Sequence, residues 1–339
     1  MDGLGMKRVA RVAGAVLAAL LLANGLSSPA VAEPSDLDKA KEQVKALETQ
    51  ASEIDEDYDE AKIALADGKK KVKALNADIA KQQQVVDSLS DQVRQIALLE
   101  FQGRGVDTTV QIFTNPDPDS LLSQLSTATK IDENMNATLQ EHQSAAASLI
   151  DMKRTLASEV EALSAEEQRL STLETEVKSK LQQAKNLVTE LTASQLAAMY
   201  ADDGGSASFD PSELDGADAN AKALAAVKYA VSKVGNSQYV WGAAGPNSFD
   251  CSGLMLAAYR SVGVSLPHSS RAQAGIGRAV SRDELKPGDL IFWYSPIHHV
   301  GMYIGNGKIV HARNTRSDLV IQTLASYPAP YSGARRILG

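Results

Sequence analysis

Apolar residues recur at alternating spacings of three and four from Leu37 onward: Leu37, Ala40, Val44, Leu47, Ala51, Ile54, Tyr58, Ala61 and Leu65, then Val72, Leu75, Ile79, Val86, Leu89, Val93 and Ile96. Only Gly68 and Gln82 weaken a seam of about eight heptads. A second, less regular series runs Leu149, Leu156, Val160, Leu163, Leu170, Val177, Leu181, Ala184, Val188 and Leu191, with Glu167 and Glu174 at seam positions. Between them, Phe101 to about Ile131 holds Gly103, Gly105, Asn115, Pro116 and Pro118, then the apolar Leu121, Leu122 and Leu125. The pattern predicts an all-α antiparallel coiled-coil hairpin over 33–200, with a loop and short helix at about 101–131. A helix of about 60 residues reaches roughly 90 Å. The tip leucines fit either internal packing or a partner-docking knob.

Residues 201–221 are polar and acidic with Gly and Pro, and read as a linker. From 222 to 339 the pattern changes to that of a compact α+β domain. Ala221 to Val234 reads as a helix. Two strand-like runs, His299-Val-Gly-Met-Tyr-Ile and Lys308-Ile-Val-His-Ala, flank Gly305-Asn306-Gly307, a strong hairpin signal.

The first 32 residues read differently again. Lys7, Arg8 and Arg11 precede an apolar run from Val12 to Leu22, and Ala30-Val31-Ala32 follows. That is the layout of a signal peptide cut before Glu33. The run is short for a bilayer span, although an uncleaved anchor is the alternative. Export gives meaning to the single cysteine, Cys251, which has no partner within the chain. It is buried filler, an intermolecular bridge or a reactive thiol.

Charge is split. Of 34 Lys and Arg and 42 Asp and Glu, residues 222–339 hold 13 and 5, a balance of +8. Residues 1–221 hold the other 21 and 37, a balance of −16. A basic domain joined to an acidic coil suggests an anionic polymer as partner, contact between the halves, or both. With no nucleic-acid motif in a chain expected to be exported, nucleic acid is not expected as a partner.

A Gly- and Pro-rich loop ends at Asp250-Cys251, and the apolar Leu254, Met255, Ala257, Ala258 and Tyr259 follow. Cys251 therefore begins a helix, where unpaired N–H groups and the dipole favour a thiolate. A nucleophilic cysteine needs a base and the base an orienter. Among five histidines, His142 falls in the coil and is expected to be solvated, and His268 follows Pro267 in a loop. A two-residue Asn306-Gly307 turn would put His299 and His311 on opposite faces. A three-residue loop, or an equivalent bulge, sets pairs summing to 612, with His311 opposite Gly301 and facing the same way as His299. The latter is expected, with His299 as base, His311 as orienter and His298 pointing away. One cysteine and two histidines make a poor zinc set, and no metal or cofactor is expected.

Tyr239-x-Trp-Gly, Phe249-Asp-Cys-Ser-Gly-Leu, Lys286-Pro-Gly-Asp-Leu-Ile-Phe, and His299-Val-Gly-Met-Tyr-Ile-Gly-Asn-Gly with His311 resemble the NlpC (p-sixty) family of cell-wall endopeptidases, over about 222–339. The resemblance implies a papain-like core, a cysteine helix packed on an antiparallel sheet, and a Cys251–His299–His311 triad. It implies a role for Tyr239 near the thiol, with Asp250 and Ser252 shaping the cleft. Tyr239 reads equally well as a core aromatic, and Trp241 reads as one. Where the family often has Arg-Thr-Ser, this chain has His268-Ser269-Ser270, so the subsite there differs. Another departure is Gly242-Ala243-Ala244, where a second glycine is common. The implied reaction cuts the γ-D-glutamyl–diamino acid bond of peptidoglycan stem peptides in a secreted, wall-associated enzyme. Acyl transfer or amidase chemistry by the same triad, or a non-catalytic wall scaffold, are the rival classes. A long hairpin ahead of such a domain resembles division hydrolases whose coil docks on an FtsEX-like membrane partner. The opposite charges lead us to expect an intramolecular contact in which the coil folds over the cleft.

Overall fold

The computed structural model describes residues 36–103, 118–202 and 207–339. The expected signal peptide and most of the hairpin tip lie outside these residues, as do the side chains of Leu121, Leu122 and Leu125. Helix α1 spans Asp36–Gly103 and α2 spans Pro118–Thr189. They pack antiparallel: Lys71 Nζ meets Glu159 at 2.5 Å, and Gln82 Nε2 donates to the Ala145 carbonyl at 3.0 Å. At 68 residues, α1 is about 100 Å long. The two weak seam positions have structural uses. Gln82 bonds across the seam, and Gly68 admits Leu163, whose Cδ2 would lie 2.5 Å from any Cβ there. His142 is half-buried and meets Ser90 Oγ across the seam at 2.9 Å, so it is not solvated as expected.

Two boundaries differ from the pattern reading. Residues 118–131 continue into α2 rather than forming a separate short helix. The segment read as a linker is structured over part of its length. Helix α3 covers Ala193–Asp202. Beyond it, Ala207 N donates to the Ile321 carbonyl, and Leu214 is buried in the next domain's core. An apolar Leu214 among acidic neighbours outweighed the polar composition.

The C-terminal domain is α+β. Helix α4 (Ala221–Ser232) and helix α5 (Cys251–Arg260) pack on a sheet, with short α6 (Ser270–Gln273) beside them. Strands β1 (Gln238–Tyr239) and β2 (Ser248–Phe249) form a small parallel pair. The main sheet comprises β3 (Arg278–Val280), β4 (Leu290–Trp293), β5 (His299–Gly305), β6 (Lys308–Asn314), β7 (Asp318–Thr323) and β8 (Tyr331–Arg336), in the antiparallel order β3-β8-β4-β5-β6-β7. Strand alternation sorts its side chains into two layers. Val300, Met302, Val310, Ala312 and Ile321 pack with Leu254, Met255 and Tyr259 of α5. On the other face Ile291, Trp293 and Ile309 form a second cluster.

Candidate active site

Asp250 caps α5, its Oδ1 accepting from Gly253 N at 2.6 Å, so Cys251 occupies the first helical residue. In β5 and β6 Met302 faces Val310 and Tyr303 faces Ile309, the register of sum 612. A bulge before Gly305↔Lys308 then returns the chain to a tight Asn306-Gly307 turn. That register carries His299 and His311 on one face. Gly301 keeps them close, since a Cβ there would sit 3.1 Å from His311 Cβ.

The hydrogen bonds fix how the protons are arranged. Arg313 Nη1 donates to Gln322 Oε1 at 3.3 Å, so that oxygen is an acceptor. His311 Nε2 lies 3.0 Å from the same oxygen and must donate to it. Burial lowers the pKa of His311 to about 3, so the ring is neutral, and its Nδ1 is then an acceptor. His299 Nε2, 2.7 Å away, donates to it. Burial, followed by the charges of His311, His298 and Arg313, likewise pushes His299 well below the usual histidine range. Its Nδ1 is left with a free lone pair, as a general base requires. Gln322, Arg313 and Tyr327, whose ring centroid lies 4.9 Å from that of His311, were missed in the sequence. The one available signal was a glutamine in the apolar run Leu319-Val-Ile-Gln-Thr.

Cys251 Sγ lies 3.5 Å from Ser270 Oγ and makes no hydrogen bond to either histidine. His299 pairs with Trp293 in the sheet and shares its face, opposite the one that packs on α5. Tyr239 packs against the buried cluster that contains Cys251; burial, then the charges of Asp55, Cys251 and Asp250, raise its pKa well above the usual phenol value. Ser252 Oγ donates to Asp250 at 3.2 Å, and Ser269 caps α6.

The expected thiolate is not what this arrangement favours. Burial pushes the Cys251 thiol well above its ordinary value, Asp250 and Asp55 push it further, and only the Ser270 hydrogen bond opposes them. The helix N-terminus is overridden because α1 lies across the cleft. Glu48, Ser52, Asp55, Glu56 and Asp59 form one stripe at heptad spacing along α1. Glu48 takes a bidentate pair from Arg316 at 2.7 and 2.8 Å. Glu56 accepts from Ser270 N at 2.8 Å, Arg271 N at 2.9 Å and the Ser269 hydroxyl. Ser52 Oγ donates to the His298 carbonyl at 2.8 Å. Trp241, read as core, is half-buried and meets the Tyr58 ring of α1 at 4.5 Å. His298 is buried between Tyr294, on which it stacks, and the coil. Cys251 is 4% exposed. What remains of the cleft is a cavity of about 260 Å³ lined by residues that include Lys45, Ser52, Tyr239, His299, Arg313 and Tyr327.

Residues 235–333 match the NlpC/P60 family. A probable endopeptidase of Corynebacterium glutamicum (strain R) is 44% identical over 116 residues, 34% of this chain and 54% of that protein. The gamma-D-glutamyl-L-lysine dipeptidyl-peptidase of Bacillus subtilis is 40% identical over 91 residues, 25% of this chain and 31% of that protein. The solved NlpC/p60 domain of the peptidoglycan hydrolase SagA is 30% identical, with 34% of this chain and 97% of that one covered and a TM-score of 0.31. The chain spans about half the length, or less, of the relatives it matches.

Proposed function

Since residues 235–333 belong to the NlpC/P60 family, we propose that the chain is a cysteine endopeptidase of peptidoglycan stem peptides, held shut by its own coil. The observation that carries the chemistry is the hydrogen-bonded series Arg313–Gln322–His311–His299, which leaves a basic Nδ1 on His299. With the cleft open, the Cys251 thiol gives its proton to that nitrogen and the sulfur attacks the amide carbonyl. The imidazolium returns the proton to the leaving amine, and water hydrolyses the thioester with His299 as base. The N–H groups that begin α5 favour the oxyanion. Similarity to an enzyme named for the γ-D-glutamyl-L-lysine bond supports that linkage, before a diamino acid, as the scissile one. Tyr239, Asp250, Ser252, Ser269 and Ser270 surround the thiol and form the substrate cleft.

The same reading assigns the coil its task. Opening the cleft requires α1 to leave, and a partner that binds the hairpin, of the FtsEX-like membrane class, would supply that force at sites of wall division. The leader-like pattern of the first 32 residues supports export to the cell wall. Mass spectrometry of products from purified walls tests the chemistry, using a chain whose coil contacts are broken by Glu48→Gln and Glu56→Gln. The expected products are stem peptides cut after D-glutamate, absent with Cys251→Ala or His299→Ala. Unchanged walls from the opened chain, or products of another bond, would refute the assignment.

A further inference from the structure

A second cluster lies beside the thiol, built from both halves of the molecule, and the reaction does not use it. His268 Nε2 is 2.7 Å from Asp250 Oδ2 and 3.5 Å from Asp59 Oδ2 of α1. The three ligand atoms lie within 4.8 Å of one another. Asp250 is already oriented, because Gly253 N and Ser252 Oγ hold its other oxygen. Ser252 Oγ also lies 3.4 Å from Asp59 Oδ2 and adds a third oxygen.

Charge and hydrogen bonding are both incomplete here. Asp55, Glu56, Asp59 and Asp250 are all buried, at 4%, 3%, 2% and 0% exposure. Facing them are His268, Arg271, whose charge acts on Glu56, and Lys62, whose Nζ approaches Asp59 Oδ1 no closer than 3.9 Å. The Oδ1 atoms of Asp55 and Asp59 have no hydrogen-bond partner. Burying carboxylates without counter-charge or donors is costly, so the cluster calls for another positive charge. Ligands about 2.0–2.1 Å from a zinc ion in tetrahedral array sit about 3.3 Å apart, and the observed separations bracket that. An all-oxygen set would suit calcium or magnesium, whereas imidazole with carboxylates suits zinc and its neighbours.

We propose that Asp59, Asp250 and His268 form a site for a zinc-class divalent cation that bridges the coil to the catalytic domain and latches the closed state. This rests on the closed-coil reading above and adds its chemical lock. The cation takes one ligand from α1 and two from the catalytic domain, so it binds well only while the coil is seated.

The test is calorimetric titration of zinc chloride into the chelator-stripped full chain carrying Cys251→Ala, which removes any binding at the thiol. One zinc per chain is expected. Binding should weaken at least tenfold with added Asp59→Asn, with His268→Gln, and with the pair Glu48→Gln and Glu56→Gln. Circular dichroism of each variant confirms that the helices persist. No uptake by the stripped parent, or uptake untouched by Asp59→Asn, overturns the site. Uptake untouched by the Glu48/Glu56 pair overturns the bridge. Wall hydrolysis without zinc by the Glu48→Gln/Glu56→Gln chain that keeps Cys251 tests coil docking separately, so failure of the latch and failure of the closed-coil reading give different results.

Discussion

Gln322 has one oxygen shared by Arg313 and His311, and that oxygen sets the tautomers of two histidines. Without it His311 gains nothing by carrying its proton on Nε2, and the proton on His299 is free to move to Nδ1, where the ring is no base. We expect Gln322→Ala, in the chain opened by Glu48→Gln and Glu56→Gln, to lower kcat by about 10–100-fold with KM little changed, the scale seen when such supporting partners are lost. The measurement is steady-state hydrolysis of a soluble stem peptide. A fall in kcat/KM carried by KM alone would assign Gln322 to substrate binding instead. At this scale the sequence was informative where chemistry is local. Turn residues and strand period were enough to place His299 and His311 together, through the bulge expected as the equivalent of a three-residue loop. Gln322 was hidden because its partners come from strand pairing, and a single glutamine carries no periodic signal.

Along α1, one helix serves two partners. Its apolar seam faces α2, and the acidic stripe from Glu48 to Asp59 faces the catalytic domain. The run Glu53-Ile-Asp-Glu-Asp-Tyr-Asp-Glu60 was visible in the sequence, but acidic residues on a coil surface are ordinarily solvated. Only the tertiary fold brings Glu56 to Ser269, 213 residues away. Burial there reverses the expectation of a lowered thiol pKa. The Glu48–Arg316 pair is 12% and 11% exposed, so screening removes little of it. By contrast the pairs of Arg271 with Asp57 and Glu60 are exposed enough to add little. Losing the charge of Glu48 and Glu56 should cost about 2–3 kcal/mol of docking, roughly a 30- to 150-fold shift toward the open form. Wall hydrolysis by Glu48→Gln/Glu56→Gln should therefore exceed that of the parent chain, and equal rates would remove the stripe from the account. Gly68 tests the other face. Gly68→Leu must displace Leu163, and overpacking of this kind costs about 1–3 kcal/mol. A lower hairpin Tm by circular dichroism at 222 nm is expected, and an unchanged Tm would show that α1 and α2 can separate there freely.

For the whole molecule, the split of charge was the legible feature: −16 before residue 222 and +8 after it. It pointed to contact between the halves, and Glu48–Arg316 and the Glu56 hydrogen bonds are where that contact is made. It could not give the register of coil against cleft, because electrostatic attraction over a surface is non-specific until donors and acceptors pair. On the proposed reading, the outcome is a Cys251 thiol that is covered, pushed toward its protonated form by burial and faced by carboxylates until the coil departs.

Cys251 is the sole cysteine, so its alkylation reports on that state without ambiguity. The rate of iodoacetamide labelling of the full chain at neutral pH, compared with the Glu48→Gln/Glu56→Gln chain, is the most direct measurement. Slow labelling of the parent, at least tenfold faster labelling of the double variant, and slowing again when His299→Ala is added are predicted. Fast, equal labelling of parent and double variant would contradict the closed cleft, and indifference to His299→Ala would contradict the base.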